Sequence, residues 1–144
     1  MANEFSYCVS LSIVHRSVDP NLISSTLTNL RARISTMADS DRRTQAGELI
    51  EPRRKAAVTH WLADLHDEER LNSELVPLSD LIQRELRKLT AHRNFFAQLR
   101  KEGEVTLIVG WFSPSNHSAG VLTFETLKLC GELSIDIELN YYGP

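Results

Sequence analysis

Apolar and polar residues alternate from Phe5 to Ile13. Phe5, Tyr7, Val9, Leu11 and Ile13 fall on one side, and Ser6, Cys8, Ser10 and Ser12 on the other. A period of two predicts a strand with one apolar face and one face of small polar groups. Asp19-Pro20 follows, an N-cap acceptor ahead of a proline suited to the first helical position. Leu22, Ile23, Leu27, Leu30 and Ile34 then recur at helical spacing and predict a first helix from about Pro20 to Ser35.

Ser35 to Lys55 is polar and irregular, and Arg42, Arg43, Arg53, Arg54 and Lys55 crowd its later part. A weaker strand signal centres on Val58, Thr59 and Trp61, within Ala56–Leu65. Asp64 to Glu74 is acidic and reads as an exposed connection. The longest periodic segment follows: Leu78, Leu81, Ile82, Leu86, Leu89, Phe96 and Leu99 form one stripe, with Phe95 beside it. That spacing predicts one amphipathic helix, begun at Pro77 or Ser79, with Gly103 as its natural C′ residue.

Val105–Phe112 reads as a buried strand with apolar residues pointing both ways, central in a sheet or at a dimer contact. Pro114 breaks it into a polar loop. Thr123 can cap a short helix with Phe124, Leu127 and Leu129 inward and Gly131 at its end. Leu133 to Tyr142 alternates again, with Asp136 and Glu138 on its solvated side. Strands and helices interleave, and several strands have a half-polar face. The expected fold is therefore α+β, an α/β sandwich with a mixed, largely antiparallel sheet and helices on one face. A ferredoxin-like core with an added α–β unit fits the count.

At 144 residues the chain suits a single domain spanning 1–144, able to bury a core without disulfide or metal. The formal charge of −3 provides no basic field, which argues against general nucleic-acid binding. No apolar run approaches the ~20 residues of a membrane helix. The opening MANEFSYCVSLSIVH has no basic n-region or unbroken apolar stretch, so a cytoplasmic, bacterial protein is expected. Cys8 and Cys130 form no CxxC pair and read as small core fillers.

Little in the sequence points to chemistry. Ser113 and His117 share one loop, yet no GxSxG elbow surrounds the serine. The five histidines make no HExxH pattern. The Arg42–Lys55 loop holds basic groups without a phosphate-cradling glycine pattern or aromatics to stack on bases. No catalytic residue, metal or cofactor is assigned. The candidate binding set is His15, Trp111, Ser113, Asn116 and His117, near the ends of the first strand and of Val105–Phe112.

Several marks occur together in order. They are Ser10-Leu11-Ser12-Ile13 with His15 and Asp19-Pro20, then Ala46-Gly47-Glu48, Trp61, and His92-Arg93 with Phe96. Gly110-Trp111-Phe112-Ser113 with Asn116 and Gly120 follows, then the closing strand Ile135–Tyr141. This set resembles the bacterial family catalogued as domain of unknown function 4279, and departs from it around Ala56–Glu74. The resemblance implies an α/β domain often encoded alone in bacteria, with no accepted enzyme activity and no agreed catalytic residues.

The leading expectation is a non-enzymatic protein-interaction module, toxin-neutralising or regulatory, acting through a protein partner or by self-association. Two alternatives stand beside it: a small-ligand-binding protein or enzyme using the five candidate residues, and a structural homodimer through a sheet edge.

Overall fold

The alternating segment forms β1 (Ser6–His15), the strand on which the sheet is organised. In the computed structural model, which describes residues 4–40 and 56–144 and only the backbone of 38–40 and 56–57, it is flanked on both sides. Five further strands are described: β2 (Ala32–Ser40), β3 (Ala56–Asp64), β4 (Leu71–Asn72), β5 (Gly103–Phe112) and β6 (Asp136–Tyr142). Their order is β2-β3-β1-β5-β6, with the short β4 paired to the start of β1. Among the described strands only β5 and β6 run parallel to each other; every other neighbouring pair is antiparallel. The order β2-β3-β1-β5, with β1 antiparallel to both neighbours, is that of a ferredoxin-like split βαβ core. The helix and strand after β5 add the expected extra α–β unit.

Asp19 caps α1 (Pro20–Thr26): its carboxylate accepts from the Asn21 amide at 2.9 Å, and Pro20 opens the helix. The helix is shorter than its spacing predicted. Ser25 and Thr26 turn their hydroxyls back to the Leu22 carbonyl, at 3.1 and 2.7 Å, a local bond that competes with helix extension. Leu30 and Ile34 do not continue the helical stripe, because Ala32–Ser40 is an edge strand paired with β3. Tertiary pairing has overridden a helical period carried by only two residues. The basic Arg42–Lys55 loop and Ala46-Gly47-Glu48 lie outside the described residues.

The long apolar stripe is correct in every member: Leu78, Leu81, Ile82, Leu86, Leu89, Phe96 and Leu99 are buried. The helix is nonetheless broken into α2 (Leu78–Arg87), a 3-10 turn (Thr90–His92) and α3 (Arg93–Arg100). Thr90 donates its hydroxyl to the Arg87 carbonyl at 3.0 Å, and Leu89 leaves helical geometry at ψ 0°. Gly103 opens β5 instead of capping the helix. The acidic segment is also more than a connection. Within it β4 pairs with Ser6 and Tyr7, and Phe5 and Ser73 exchange two hydrogen bonds.

Thr123 caps α4 (Phe124–Glu132) by accepting from the Thr126 amide. The inward residues are Thr126 and Cys130, with Leu129 half-buried; Phe124 and Leu127 are exposed, against expectation. Gly131 is not the terminator. The helix closes as a Schellman motif, with the Ser134 amide on the Gly131 carbonyl and the Ile135 amide on the Cys130 carbonyl. Buried Ile135 and Cys130 supply its apolar contact. Ser134 therefore takes the left-handed position, at φ 58°, usually given to glycine. Ser134→Gly is expected to raise unfolding stability by about 0.5–1 kcal/mol in urea titration, by relieving that strain.

The strand residues that are buried in the core share one parity: Tyr7, Val9, Leu11 and Ile13 with Trp61, Ala63, Val105, Leu107 and Val109. They join one cluster with Ile23, Leu81, Leu86, Phe96 and Cys130 of the four described helices and with Leu27 just after α1, so these helices cover a single face. Cys130 is core, and burial pushes its thiol up to about 11. Cys8 lies half-buried on the opposite face beside Gly110, not in the core as expected. Among the described residues β5 is likewise covered on one face only. Among the described residues no helix is long and apolar enough to cross a membrane.

Candidate functional site

His15 ends β1 and is buried. Its Nδ1 accepts from the Ser17 and Val18 amides, at 3.0 and 2.9 Å, so the imidazole ties down the turn into α1. It is paired with Gly103, at the opposite end of β5 from Ser113. A strand of 10 residues lies between them, a separation of ~30 Å. The five candidate residues therefore do not share one pocket.

Trp111, Ser113, Asn116 and His117 do fall together, at the C-terminal end of β5. The Trp111 ring stacks on Phe5 at 3.7 Å and 9°, and its Nε1 donates to Ser118 Oγ at 2.8 Å. A Cβ on Gly120 would come within 2.9 Å of both rings, so glycine lets the loop close over this stack. Ser113 is buried; its amide donates to the Tyr142 carbonyl and its hydroxyl to the Ser115 carbonyl. Ser115 donates in turn to the His117 carbonyl at 2.6 Å. The Ser113 proton is thus held by a main-chain carbonyl and not by the His117 ring, which is not the arrangement of an activated nucleophile. The loop is a self-bonded turn with Asn116 and His117 exposed at its tip.

Next to it lies a hollow of about 390 Å³ lined by Glu4, Ser6, Arg70, Asn72, Phe112 and Ser113, among others. The Arg70 guanidinium sits 3.6 Å from the Phe112 ring centre, and Tyr142 stacks on the same ring at 4.9 Å and 13°. The strand order brings Arg70 and Tyr142 from opposite flanks of β5. Sequence reasoning missed this trio. Phe112 and Tyr142 are partners in register, visible only once β6 is known to run parallel to β5. Arg70 comes from the acidic segment, where nothing marked it.

A larger hollow, about 580 Å³, lies between the α1–β2 turn, the end of β3 and α2. Its lining mixes Arg31, Arg33, Arg84 and Lys88 with Asp64, Asp67, Glu68 and Glu85. Much of this charge is already matched: Arg33 meets Asp64 at 3.1 Å and Lys88 meets Glu85 at 2.6 Å. Burial alone would raise the Asp64 carboxyl, but bonds from Ser10 and Arg33 outweigh it and hold it below the ordinary 3.8. Beside it, His66 Nε2 accepts from the Val9 amide at 3.0 Å while Nδ1 meets the Glu68 carbonyl at 2.7 Å. Both ring nitrogens are thereby occupied within the fold.

The broadest feature is the helix-free face, the side of the sheet that no helix covers among the described residues. Pairing places Ile34, Leu62, Ser12 and Thr106 in one row, with His60, Val14 and Glu104 in the next row toward the His15 end. Asp64, Ser10, Ile108 and Glu138 form a third row, followed by Cys8, Gly110 and Asn140. Ile34 is exposed, and Leu62, Val14 and Ile108 are half-buried. Among the described residues, no group of three or more His, Cys, Asp or Glu side chains is disposed to hold a metal ion. Compared with protein-family models, curated proteins and solved structures, the chain gives no match.

Proposed function

We propose that the protein is a non-enzymatic interaction module whose protein partner seats on the helix-free sheet face. One observation carries the reading: Ile34, Leu62, Val14 and Ile108 stay partly exposed on that face, interspersed with Ser10, Ser12 and Thr106 and bordered by Asp64, Glu104 and Glu138. An antiparallel sheet can leave one face wet, but that face is then usually polar in alternation. Here short hydroxyl side chains leave room between apolar ones, so a partner's side chains can enter between them. The Arg70–Phe112–Tyr142 stack closes one end of the surface and offers cationic and aromatic groups common in protein interfaces. A toxin-neutralising or regulatory role, and membership in the family catalogued as domain of unknown function 4279, belong to this same proposal.

The test uses the wild-type chain and a Leu62→Lys/Ile108→Lys double variant as baits in cells that naturally express the protein. The wild type should recover a partner and the variant should lose it at least tenfold, with unfolding stability changed by no more than ~1 kcal/mol. Repeated failure of the wild type to recover any partner would sink the reading, as would equal capture by both baits.

A further inference from the structure

We propose that two copies of this chain pair edge to edge through β6, antiparallel, about a two-fold axis at Leu139. β6 ends the strand order, and among the described residues no strand pairs with its outer side. The Ser113 amide donates to the Tyr142 carbonyl at 2.9 Å, so Tyr142 turns its main-chain groups toward β5. Main-chain direction alternates along a strand, and Asn140, Glu138 and Asp136 follow Tyr142 inward. Ile137, Leu139 and Tyr141 therefore aim their N–H and C=O groups at the free edge. Their side chains stand on the helix-bearing face, in register with Leu107, Val109 and Trp111.

This edge is suited to a copy of itself. Leu139 is the midpoint of Asp136–Tyr142, so a two-fold there engages the whole strand. Ile137 then meets the second copy's Tyr141, and Leu139 meets Leu139. The outward groups of these residues close into about six N–H···O bonds. On the other face Glu138 falls opposite Asn140, and Asp136 opposite Tyr142, so no two carboxylates oppose each other. A register centred on Glu138 would set that carboxylate against itself, and one centred on Asn140 would leave Asp136 and Ile137 unpaired. Leu139 and Tyr141 are 53% and 56% exposed, an unusual state for the apolar side of a strand that faces the core side. Phe124 and Leu127 of α4, the helix leading into β6, are exposed as well. The strand carries no proline, lysine or bulge to guard its edge, and its two carboxylates, Asp136 and Glu138, fall opposite Tyr142 and Asn140 in this register. Pairing here leaves the helix-free face open, so this inference and the proposed function stand or fall separately.

Sedimentation equilibrium on the full chain tests it. The wild type should be a reversible dimer. Leu139→Pro removes an N–H aimed only outward, which an edge strand tolerates, and should give a monomer with unchanged far-UV circular dichroism. Asn140→Glu sets a carboxylate against Glu138 at two symmetric places and should weaken dimerisation about fivefold; Asn140→Lys should tighten it about fivefold at low salt. The Asn140 pair decides the matter if Leu139→Pro fails to fold. A wild type that stays monomeric up to roughly 100 μM, where even weak specific contacts register, overturns the proposal. So does a dimer indifferent to both Asn140 substitutions. Loss of the dimer with retention of a captured partner leaves the helix-free-face reading intact.

Discussion

Trp61→Ala is expected to destabilise the protein by about 3–5 kcal/mol, the range for deleting a fully buried aromatic side chain. Trp61 is 1% exposed, and its row on the core face runs through Ile13 and Val105. Its Nε1 donates to Ser24 Oγ at 3.0 Å, so the same side chain ties α1 to β3. The cavity left by alanine cannot collapse easily, because the sheet backbone on one side is fixed by pairing with both β1 and β2. Against a typical stability of ~5–15 kcal/mol this leaves a marginal fold. Urea unfolding of Trp61→Ala and Trp61→Phe separates the two contributions. Phenylalanine keeps most of the volume and loses the indole N–H, and should cost only about 1–2 kcal/mol. A loss below about 1.5 kcal/mol in Trp61→Ala would mean that this residue is not the core post described.

Much of that core was legible in the sequence. The period-two pattern of Phe5–Ile13 marked β1 as a strand with one apolar face, and the stripe from Leu78 to Leu99 named every buried apolar residue of α2 and α3, leaving out only the buried Ser79. These signals are long and repetitive, so no neighbouring element can outvote them. The errors fall where the signal was short. Leu30 and Ile34 extended a helical period by two residues, while hydroxyl side chains at Ser25 and Thr26 were already ending the helix. Thr90 broke the long helix without disturbing its apolar stripe, because the 3-10 turn keeps Leu89 and Phe96 on the buried side. Gly131 looked like a helix terminator, yet the Schellman closure fell at Ser134, where a hydroxyl residue accepts left-handed geometry.

The candidate site was less legible, for a topological reason. His15 ends β1 and Ser113 follows the C-terminal end of β5, and sequence alone does not say whether those ends meet. The antiparallel register of β1 and β5 sends them to opposite ends of the sheet. The hydroxyl and imidazole groups that attracted attention are mainly spent on the fold's own backbone. His15 receives two amides, Ser113 bonds a carbonyl, and Trp111 bonds Ser118. The surfaces left unspent are the helix-free face and the β6 edge, and neither is marked by residue types of high reactivity.

The second large effect is alkaline. Tyr7 is fully buried, and its hydroxyl donates to the Val76 carbonyl at 2.6 Å, clamping the turn before α2 onto β1. Burial raises its pKa from 10.0 to about 12; Arg84 works against that shift and Asp80 adds to it. The folded protein thus holds this proton more tightly than the unfolded chain does. The resulting stability is fully present below pH 10 and is lost as pH rises through about 12. A shift of this size corresponds to about 3 kcal/mol. Cys130, raised to about 11 by burial, acts with the same sign over a lower window, so the wild-type curve alone does not isolate Tyr7. Tyr7→Phe does. It should cost only about 1 kcal/mol at neutral pH, from the lost bond to Val76, and should lack most of the decline between pH 10 and 12. Urea midpoints for both chains, taken in steps from neutral to strongly alkaline pH, give the comparison. Parallel declines in the two would show that Tyr7 ionisation is not coupled to folding, and the hydroxyl would then be no part of what fixes α2 to the sheet.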